Sequence, residues 1–451
     1  MAEPDATDAF NPEREFMDRE EIEDRQERML REKVDHAYSN TEHYRETFDE
    51  AGIDPSDVKT IDDYQRLVPT MLKEDVRDNR SVDDPFGGFL AIDRDEVDYL
   101  HTSTGTTGTP TFMPVQHEEV SAAGELLART LYPAGLEAGD VGLNAGMFYH
   151  LYSRMMEVAY REHLGMTHFN RGGLPFEVES DLDEDTELWE MADPAIINMT
   201  HSSLQKATTL LQEHDVDPSE AFPELKAVVT AGAVVTGTAR QELEEFWGVP
   251  LIEQGGPTDQ MAFMGTFCEA RTDGWGHFFE DQAFYEVLDF DTLEPVAEGE
   301  RGEHTYTTFH LDSTPYLRWR SEDAGVHGGY DCSCGRCHMR TQILGRTVQE
   351  VNVRGTSVFP RDFEGVRDEH GYPESPYQLV RQPGDQQELL RVLFSADVSE
   401  AERASMAADL AEDLGLGESD VEIGHIEEED IPMKGQWKYR LIREEGEDDG
   451  A

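Results

Sequence analysis

The chain reads as an α/β protein: a large N-terminal body of mixed sheets and helices, then a smaller α+β unit. Three observations predict this. Between residues 194 and 252, short apolar strands alternate with helices, the mark of parallel βαβ units. After about Asp259 the pattern turns to strands alone. Past Gly345 a compact set of strands and helices fills about a hundred residues, enough for a separate domain. The expected boundary divides 1–344 from 345–451.

Taken in order, the first dozen residues are acidic and expected to fray. Pro12 to about Asn40 is helical, with Phe16, Ile22, Met29, Val34 and Ala37 recurring at three- to seven-residue steps. A second helix, Thr41–Ala51, stops at Gly52. Val97–Leu100 is a short strand that opens into His101-Thr-Ser-Thr-Gly-Thr-Thr-Gly-Thr-Pro-Thr111. Residues 118–133 form a helix, Gly139-Asp140 a turn, and 141–152 an apolar, aromatic stretch. Strand 194–198 precedes helix 202–214. Strand 226–230 enters Ala231-Gly-Ala233 and helix 237–247, and strand 249–252 follows. Ala283–Asp289, His304–Phe309 and Tyr316–Trp319 read as strands. The last unit has a strand at 348–353, a helix at 360–369, a strand at 386–394, a helix at 399–414 and a strand at 420–426. The 399–414 helix carries Ala401, Met406, Leu410 and Leu414 on one face. No internal repeat is visible.

The net charge is -60, with 97 acidic against 37 basic residues. The acids are spread along the chain, as at Asp181–Glu187 and Glu427–Asp430, not gathered in a tail. Such a surface stays hydrated in concentrated salt, the habit of halophilic cytoplasmic proteins. Nothing resembles the basic stripe that nucleic acid requires. No apolar run approaches the roughly 20 residues that span a bilayer, and no signal peptide is apparent. The chain therefore reads as cytoplasmic and free of membrane or nucleic-acid partners. Its oligomeric state is open, a homodimer among the options.

The 101–111 loop sets two glycines among Ser and Thr side chains. Glycine lets backbone come close, and amides with hydroxyls can wrap a run of phosphate oxygens. It lacks a Gly-Lys-Ser/Thr ending, which excludes the nucleoside-triphosphatase P-loop. The four cysteines suggest a metal site before disulfides in this compartment. Cys332, Cys334 and Cys337 form a tight knuckle, with Cys268 and His277 upstream, suited to one tetrahedral ion. Free thiols, or a redox pair at Cys334 and Cys337, are the alternatives.

In this order the motifs resemble the adenylate-forming superfamily, and within it the phenylacetate–coenzyme A ligase family. The resemblance covers nearly the whole chain. It rests on Thr70–Asp75, the hydroxyl loop, Ala231-Gly-Ala233, Gly256-Pro-Thr-Asp259, Cys268-Glu and Trp275–Asp281. It continues through Leu317–Asp323, the cysteine knuckle, Gly345-Arg346 and Arg354–Pro360. It implies an ATP-dependent ligase that converts an aromatic or bulky carboxylic acid to an acyl-adenylate and passes the acyl group to coenzyme A.

On that resemblance Ser103, Thr104, Gly105, Thr106, Thr107 and Gly108 hold the triphosphate. Gly232 and Ala233 line the adenine, Asp323 takes the ribose hydroxyls, Arg346 meets ribose or phosphate at a hinge, and Asp259 approaches Mg²⁺. Met147, Phe148, Tyr149, His150 and Tyr152 lie where the acid pocket is expected. Structural zinc falls to four of Cys268, His277, Cys332, Cys334 and Cys337. Lys434 or Lys438 is the candidate catalytic cation. The chain departs from the family at Thr109, where lysine is usual, and at Val234, Gly255, Asp259 (for Glu), Val348-Gln349 (for two Asp) and Gln436 (for Lys). These departures allow a second reading, a catalytically reduced nucleotide- or acyl-binding paralogue; a third is an adenylating enzyme with an acceptor other than coenzyme A.

Overall fold

The computed structural model describes residues 9–103, 110–145, 150–171, 182–232, 235, 237–265, 275–372, 375–384, 386–432 and 440–446. The helices are α1 (Pro12–Glu15), α2 (Arg19–Asn40), α3 (Glu42–Ala51), α4 (Ile61–Leu67), α5 (Lys73–Asn79), α6 (His117–Leu131), α7 (Leu151–Val158), α8 (Leu182–Ala192), α9 (His201–Glu213), α10 (Pro218–Ala221), α11 (Gly237–Trp247), α12 (Pro360–Glu369) and α13 (Glu400–Leu414). On α2, Ile22, Gln26, Leu30, Lys33, Val34 and Ala37 are buried at three- and four-residue steps, one stripe against the body. Thr41 caps α3 by accepting from the Tyr44 amide (3.2 Å), and Gly52 at φ 67° ends it.

Strands β1 (Tyr99–Thr102) and β2 (Phe112–Val115) pair as a two-stranded hairpin. The main sheet starts with β3 (Val141–Asn144), β4 (Thr167–Asn170), β5 (Ile196–Thr200), β6 (Ala227–Ala231) and β7 (Leu251–Gly255), parallel in the spatial order β4-β3-β5-β6-β7. Helix α9 links β5 to β6 and α11 links β6 to β7, the anticipated βαβ units. Their carboxyl ends bring Asn144, Asn198, Gly232, Gln254 and Gly255 to one edge, where open α/β sheets bind ligands.

The sheet continues antiparallel through β8 (Met264–Gly265), β9 (Trp275–Phe278), β10 (Ala283–Leu288), β11 (Arg301–Thr308), β12 (Trp319–His327) and β13 (Arg340–Arg346). Strand β13 is inserted between β9 and β12, giving eleven strands in all. A four-stranded sheet follows, ordered β18-β17-β16-β19 and built from β16 (Tyr377–Arg381), β17 (Leu390–Phe394), β18 (Val421–His425) and β19 (Ile442–Glu444); the hairpin β14 (Val351–Val353) and β15 (Thr356–Val358) precedes it. Its apolar core of Val353, Phe363, Leu379, Val392, Met406 and Leu410 is distinct from the cores of the large sheet.

Several elements differ from expectation for local reasons. The helix anticipated over 12–40 breaks after Glu15, whose carbonyl accepts from the Cys337 amide (3.1 Å). Strand β1 lies two residues beyond the 97–100 expected and stands apart from the large sheet, behind a 3₁₀ turn at Arg94–Glu96. The strand expected at 316 begins at Trp319, because Arg318 takes φ 46° to place its guanidinium on Glu286 (3.0 Å). Residues 347–349 form a 3₁₀ turn, so that strand is confined to Val351–Val353. The 386–394 strand begins at Leu390, since the Gln387 amide turns back to Val380 O and Leu389 O.

A buried charge network ties α6 to the β9–β10 turn. Arg129 and Asp281, both 0% exposed, form two parallel hydrogen bonds of 2.8 and 3.1 Å, and Arg129 also donates to Glu125 (2.8 Å). Burial alone would raise the Asp281 carboxyl; Arg129 outweighs it and holds the group below its ordinary value. Asp281→Ala removes the two-bond partner of a buried guanidinium, leaving it Glu125 alone, and is expected to cost about 3–5 kcal/mol of stability, read as a shift in the urea midpoint. With the native pKa depressed, this stabilisation is present above the ordinary carboxylate pKa and is lost as pH falls through the native value. The variant should therefore show a weaker acid-side decline than the parent.

Candidate active site

The foot of the hydroxyl loop is closed by Ser103 and Thr111. The Ser103 amide donates to Thr111 O (2.9 Å), while Ser103 Oγ accepts from the Thr111 amide (3.0 Å) and lies 3.2 Å from its hydroxyl. Both oxygens are thus used to pinch the loop, and the Ser103 hydroxyl proton remains to donate. Helix α5 braces this foot: Arg80, at its carboxyl end, donates to Pro110 O. Thr104, Gly105, Thr106, Thr107 and Gly108, with Thr109, lie outside the described residues.

Asp323 and Arg346 are directly paired in the β12–β13 register. Arg346 donates to Asp323 Oδ1 and to Glu322 Oε2, each at 3.1 Å. Asp323 keeps 19% of its side chain exposed. Burial raises its carboxyl to about 6, with Arg346 pulling the other way. The preceding residue, Glu322, sits at φ 59°, a left-handed backbone that costs a non-glycine residue energy. Its amide is held by Glu303 Oε1 (3.0 Å), and a bulge follows between Ala324 and Gly325. The β11–β12 pairing is interrupted beside Asp323, while its register with Arg346 on β13 is kept. Gln349, one of the departures from the family pattern, accepts from the Arg346 amide (2.9 Å) and closes the turn after Gly345.

Gly232 follows β6 at φ 89°, exposed, with open space where a side chain would begin; Ala233 lies outside the described residues. At Gly256 (φ 129°) a Cβ would stand 2.2 Å from Ala262 O. Only glycine lets the chain turn there into the 3₁₀ segment Thr258–Gln260 that carries Asp259. Gly256→Ala is expected to lower stability by about 1–3 kcal/mol and to displace Asp259, read by the melting temperature together with ATP affinity. Asp259 Oδ2 pairs with Lys73 Nζ, a residue the sequence reading did not single out.

Beside these groups, Tyr152 OH lies 2.5 Å from Gln254 Oε1 and 3.2 Å from Asn198 Oδ1. Gln254 donates on to Thr130, and Asn198 to Asn144 Oδ1 (3.0 Å), so a buried amide chain runs along the strand ends. His150 caps α7, its Nδ1 accepting from the Tyr152 amide (3.4 Å). Met147, Phe148 and Tyr149 lie outside the described residues, as do Lys434, Gln436 and Lys438.

His277, Cys332 and Cys334 converge, their ligand atoms all within 4.8 Å of one another. His277 is buried, with Nδ1 2.9 Å from His338 O, which leaves Nε2 facing Cys334 Sγ at 3.5 Å. Burial would lower the His277 pKa, but hydrogen bonds to Cys332 and Cys334 lift it to about 9. An imidazole oriented by a backbone carbonyl beside two thiols suits zinc. Cys337 is not brought into this group. Its sulfur faces Glu15 O (3.2 Å) and Arg14 O (3.6 Å), and burial pushes its thiol up to about 12. Cys268 lies outside the described residues.

The family model described as AMP-binding enzyme matches residues 35–307. The phenylacetate-coenzyme A ligase of Thermus thermophilus is 32% identical over 360 residues, covering 79% of this chain and 77% of that protein. This chain belongs to the phenylacetate–coenzyme A ligase family of AMP-binding enzymes. It is an acid–thiol ligase. The Escherichia coli phenylacetate-coenzyme A ligase is 28% identical over 364 residues, 80% of this chain and 79% of that one. Among solved structures, a 2-hydroxyisobutyryl-CoA ligase in the postadenylation state, bound to R3-HIB-AMP, superposes with a TM-score of 0.75 at 20% identity, covering 97% of this chain and 92% of that one. The adenylate-forming fold thus extends across both sheets. No helix among the described residues is long and apolar enough to cross a membrane.

Proposed function

We propose that this ligase activates an aromatic or otherwise bulky carboxylic acid, and that the residues above carry the reaction as follows. A carboxylate oxygen of the acid attacks the α-phosphorus of ATP, and the bond to pyrophosphate breaks. The thiol sulfur of coenzyme A then attacks the acyl carbon; its proton passes to solvent, and AMP leaves with the bonding pair. Chemistry of this kind depends on alignment and charge neutralisation. The observation that carries the assignment is the Asp323–Arg346 pair: an acceptor carboxylate for ribose hydroxyls, set beside a guanidinium at the start of the second unit.

Ser103 and the loop to Gly108 hold the triphosphate, Gly232 and Ala233 flank the adenine, and Lys434 or Lys438 approaches the α-phosphate. Asp259, a carboxylate at the same strand edge, suits Mg²⁺, which when bound would neutralise phosphate charge. His277, Cys332 and Cys334 with a fourth thiol suit a structural zinc. We read 1–344 as the adenylating body and 345–451 as a unit that rotates about Gly345-Arg346 between the two steps. The separate apolar core of the second sheet supports that division.

The test is acid-dependent exchange of pyrophosphate into ATP in molar KCl with Mg²⁺, over arylacetic, benzoic and branched hydroxy acids, followed by thioester formation with coenzyme A. Exchange with a bulky acid and a coenzyme A thioester are expected. A folded protein inert toward every acid is instead the reduced paralogue that Thr109 and Gln436 favour. Exchange without thioester points to another acceptor.

A further inference from the structure

We infer that Asn198 and Gln254, with Tyr152 between them, recognise a hydrogen-bond donor on the substrate, so that the preferred substrates are carboxylic acids carrying a hydroxyl or amino group. This rests on the acid-activating reading above and narrows its substrate class. The case comes from counting hydrogens in the buried amide chain at the strand ends.

Both side-chain amides have an orientation fixed by their far partners. Thr130 Oγ1 donates its one hydrogen to Leu127 O (2.8 Å), so toward Gln254 it can only accept. Gln254 therefore turns Nε2 to Thr130 and leaves Oε1 for Tyr152. At the other end Ser153 O can only accept, so Asn144 presents Nδ2 to it (3.5 Å) and Oδ1 to Asn198. Asn198 then donates through Nδ2 to Asn144 (3.0 Å) and points its own Oδ1 at Tyr152.

Two carbonyl oxygens thus converge on one hydroxyl, Gln254 Oε1 at 2.5 Å and Asn198 Oδ1 at 3.2 Å. Burial pushes the Tyr152 phenol above its ordinary value, so it keeps its proton, but it has only that one to give. The shorter contact takes it, and Asn198 Oδ1 is left short of a donor. Among the described residues nothing else donates to either oxygen. Asn198 is 2% exposed and Gln254 3%, and an unmet acceptor at such depth costs free energy. The chain nonetheless reaches an opening. It lies at the carboxyl ends of β5 and β7, where open α/β sheets bind ligands, and Tyr152, Ala231 and Gly255 at that rim stay partly exposed. A hydroxyl or amino group entering there completes the set. A plain aryl or alkyl group leaves the oxygen unmet, and an ether adds a further acceptor. Sites built to pair a substrate hydroxyl reject analogues that lack it for this reason.

The experiment is calorimetric titration of the whole protein with benzoate and phenylacetate, each plain and with a hydroxyl, amino or methoxy group at every ring position. At least one hydroxy or amino isomer should bind roughly ten- to a hundredfold more tightly than its plain parent acid. The methoxy isomer at the same position should gain nothing, and the two donor series tell which group the oxygen takes. Gln254→Met removes one of the two oxygens and lets Tyr152 serve Asn198 alone. It should bring the affinities of the preferred and plain acids together, whereas a merely structural role would lower both in parallel. No isomer binding more tightly than its plain acid, an equal gain with methoxy, or a preference that survives in Gln254→Met overturns the inference. Should Gln254→Met fail to fold, the series on the parent protein decides alone. Acids that bind without supporting pyrophosphate exchange would count against the ligase reading instead, with the binding preference still deciding this one.

Discussion

Asp323→Ala should abolish most acid-dependent pyrophosphate exchange, lowering kcat/KM for ATP on the order of 10²–10⁴-fold. An ionised carboxylate can accept from two ribose hydroxyls, and each charge-assisted bond contributes about 1.5–3 kcal/mol. The same substitution leaves Arg346 paired with Glu322, so Arg346 keeps one of its two ion pairs and the loss should fall on nucleotide handling. The pH profile gives a second, independent readout. Burial raises Asp323 to about 6, so the group is an acceptor on both oxygens above that pH and carries a proton below it. KM for ATP should therefore climb as pH drops through about 6, and this acid limb should vanish in Asp323→Asn. Because the folded pKa is raised, ionising Asp323 lowers stability as pH rises from the ordinary carboxylate value to about 6. Asp323→Asn should accordingly be no less stable than the parent at neutral pH. A variant that unfolds, or a persistent acid limb in it, would assign Asp323 to structure.

What could be read from the chain beforehand follows from how local each signal is. The βαβ stretch from Ile196 to Gly255 was legible because each strand and helix is a short periodic segment next to its neighbour in sequence. Asp323 with Arg346, and His277 with Cys332 and Cys334, were nameable because each residue type has a strong chemical preference in a recognisable motif. Lys73 with Asp259 and Arg129 with Asp281 were not nameable. Each pair spans more than a hundred residues, and a lone Lys or Arg in a helix ordinarily points to water. The short helices α4 and α5 also escaped notice, since two turns leave too little periodicity to register. The insertion of β13 between β9 and β12 is a topological fact with no local signature. That insertion nonetheless sets Arg346 against Asp323 and Arg340 against His277, so it helps assemble both candidate sites at once.

Cys332→Ser should abolish the zinc binding proposed for the knuckle and destabilise the protein by several kcal/mol, and the damage should travel to the N-terminus. Structural zinc supplies folding energy outright, on the order of 10 kcal/mol in small domains. Here His277 lies on β9 while the two thiols lie on the β12–β13 connection, so the ion would clamp segments that otherwise meet through the pairing of β9 with β13. The same connection holds α1. Arg336 Nε donates to Glu15 (2.7 Å) and the Cys337 amide donates to Glu15 O, while Arg19 reaches Glu280 (2.9 Å). Loosening the knuckle should thus expose residues 9–18 to limited proteolysis before the large sheet unfolds. Metal analysis is expected to give one zinc per parent chain and close to none in Cys332→Ser or Cys334→Ser. Cys337→Ser separates the candidates for the fourth ligand. Its sulfur faces the Arg14 and Glu15 carbonyls, so this variant should keep the metal, and Cys268→Ser should lose it. Full zinc in Cys332→Ser would end the metal reading, and loss of zinc in Cys337→Ser would move the fourth ligand to that thiol.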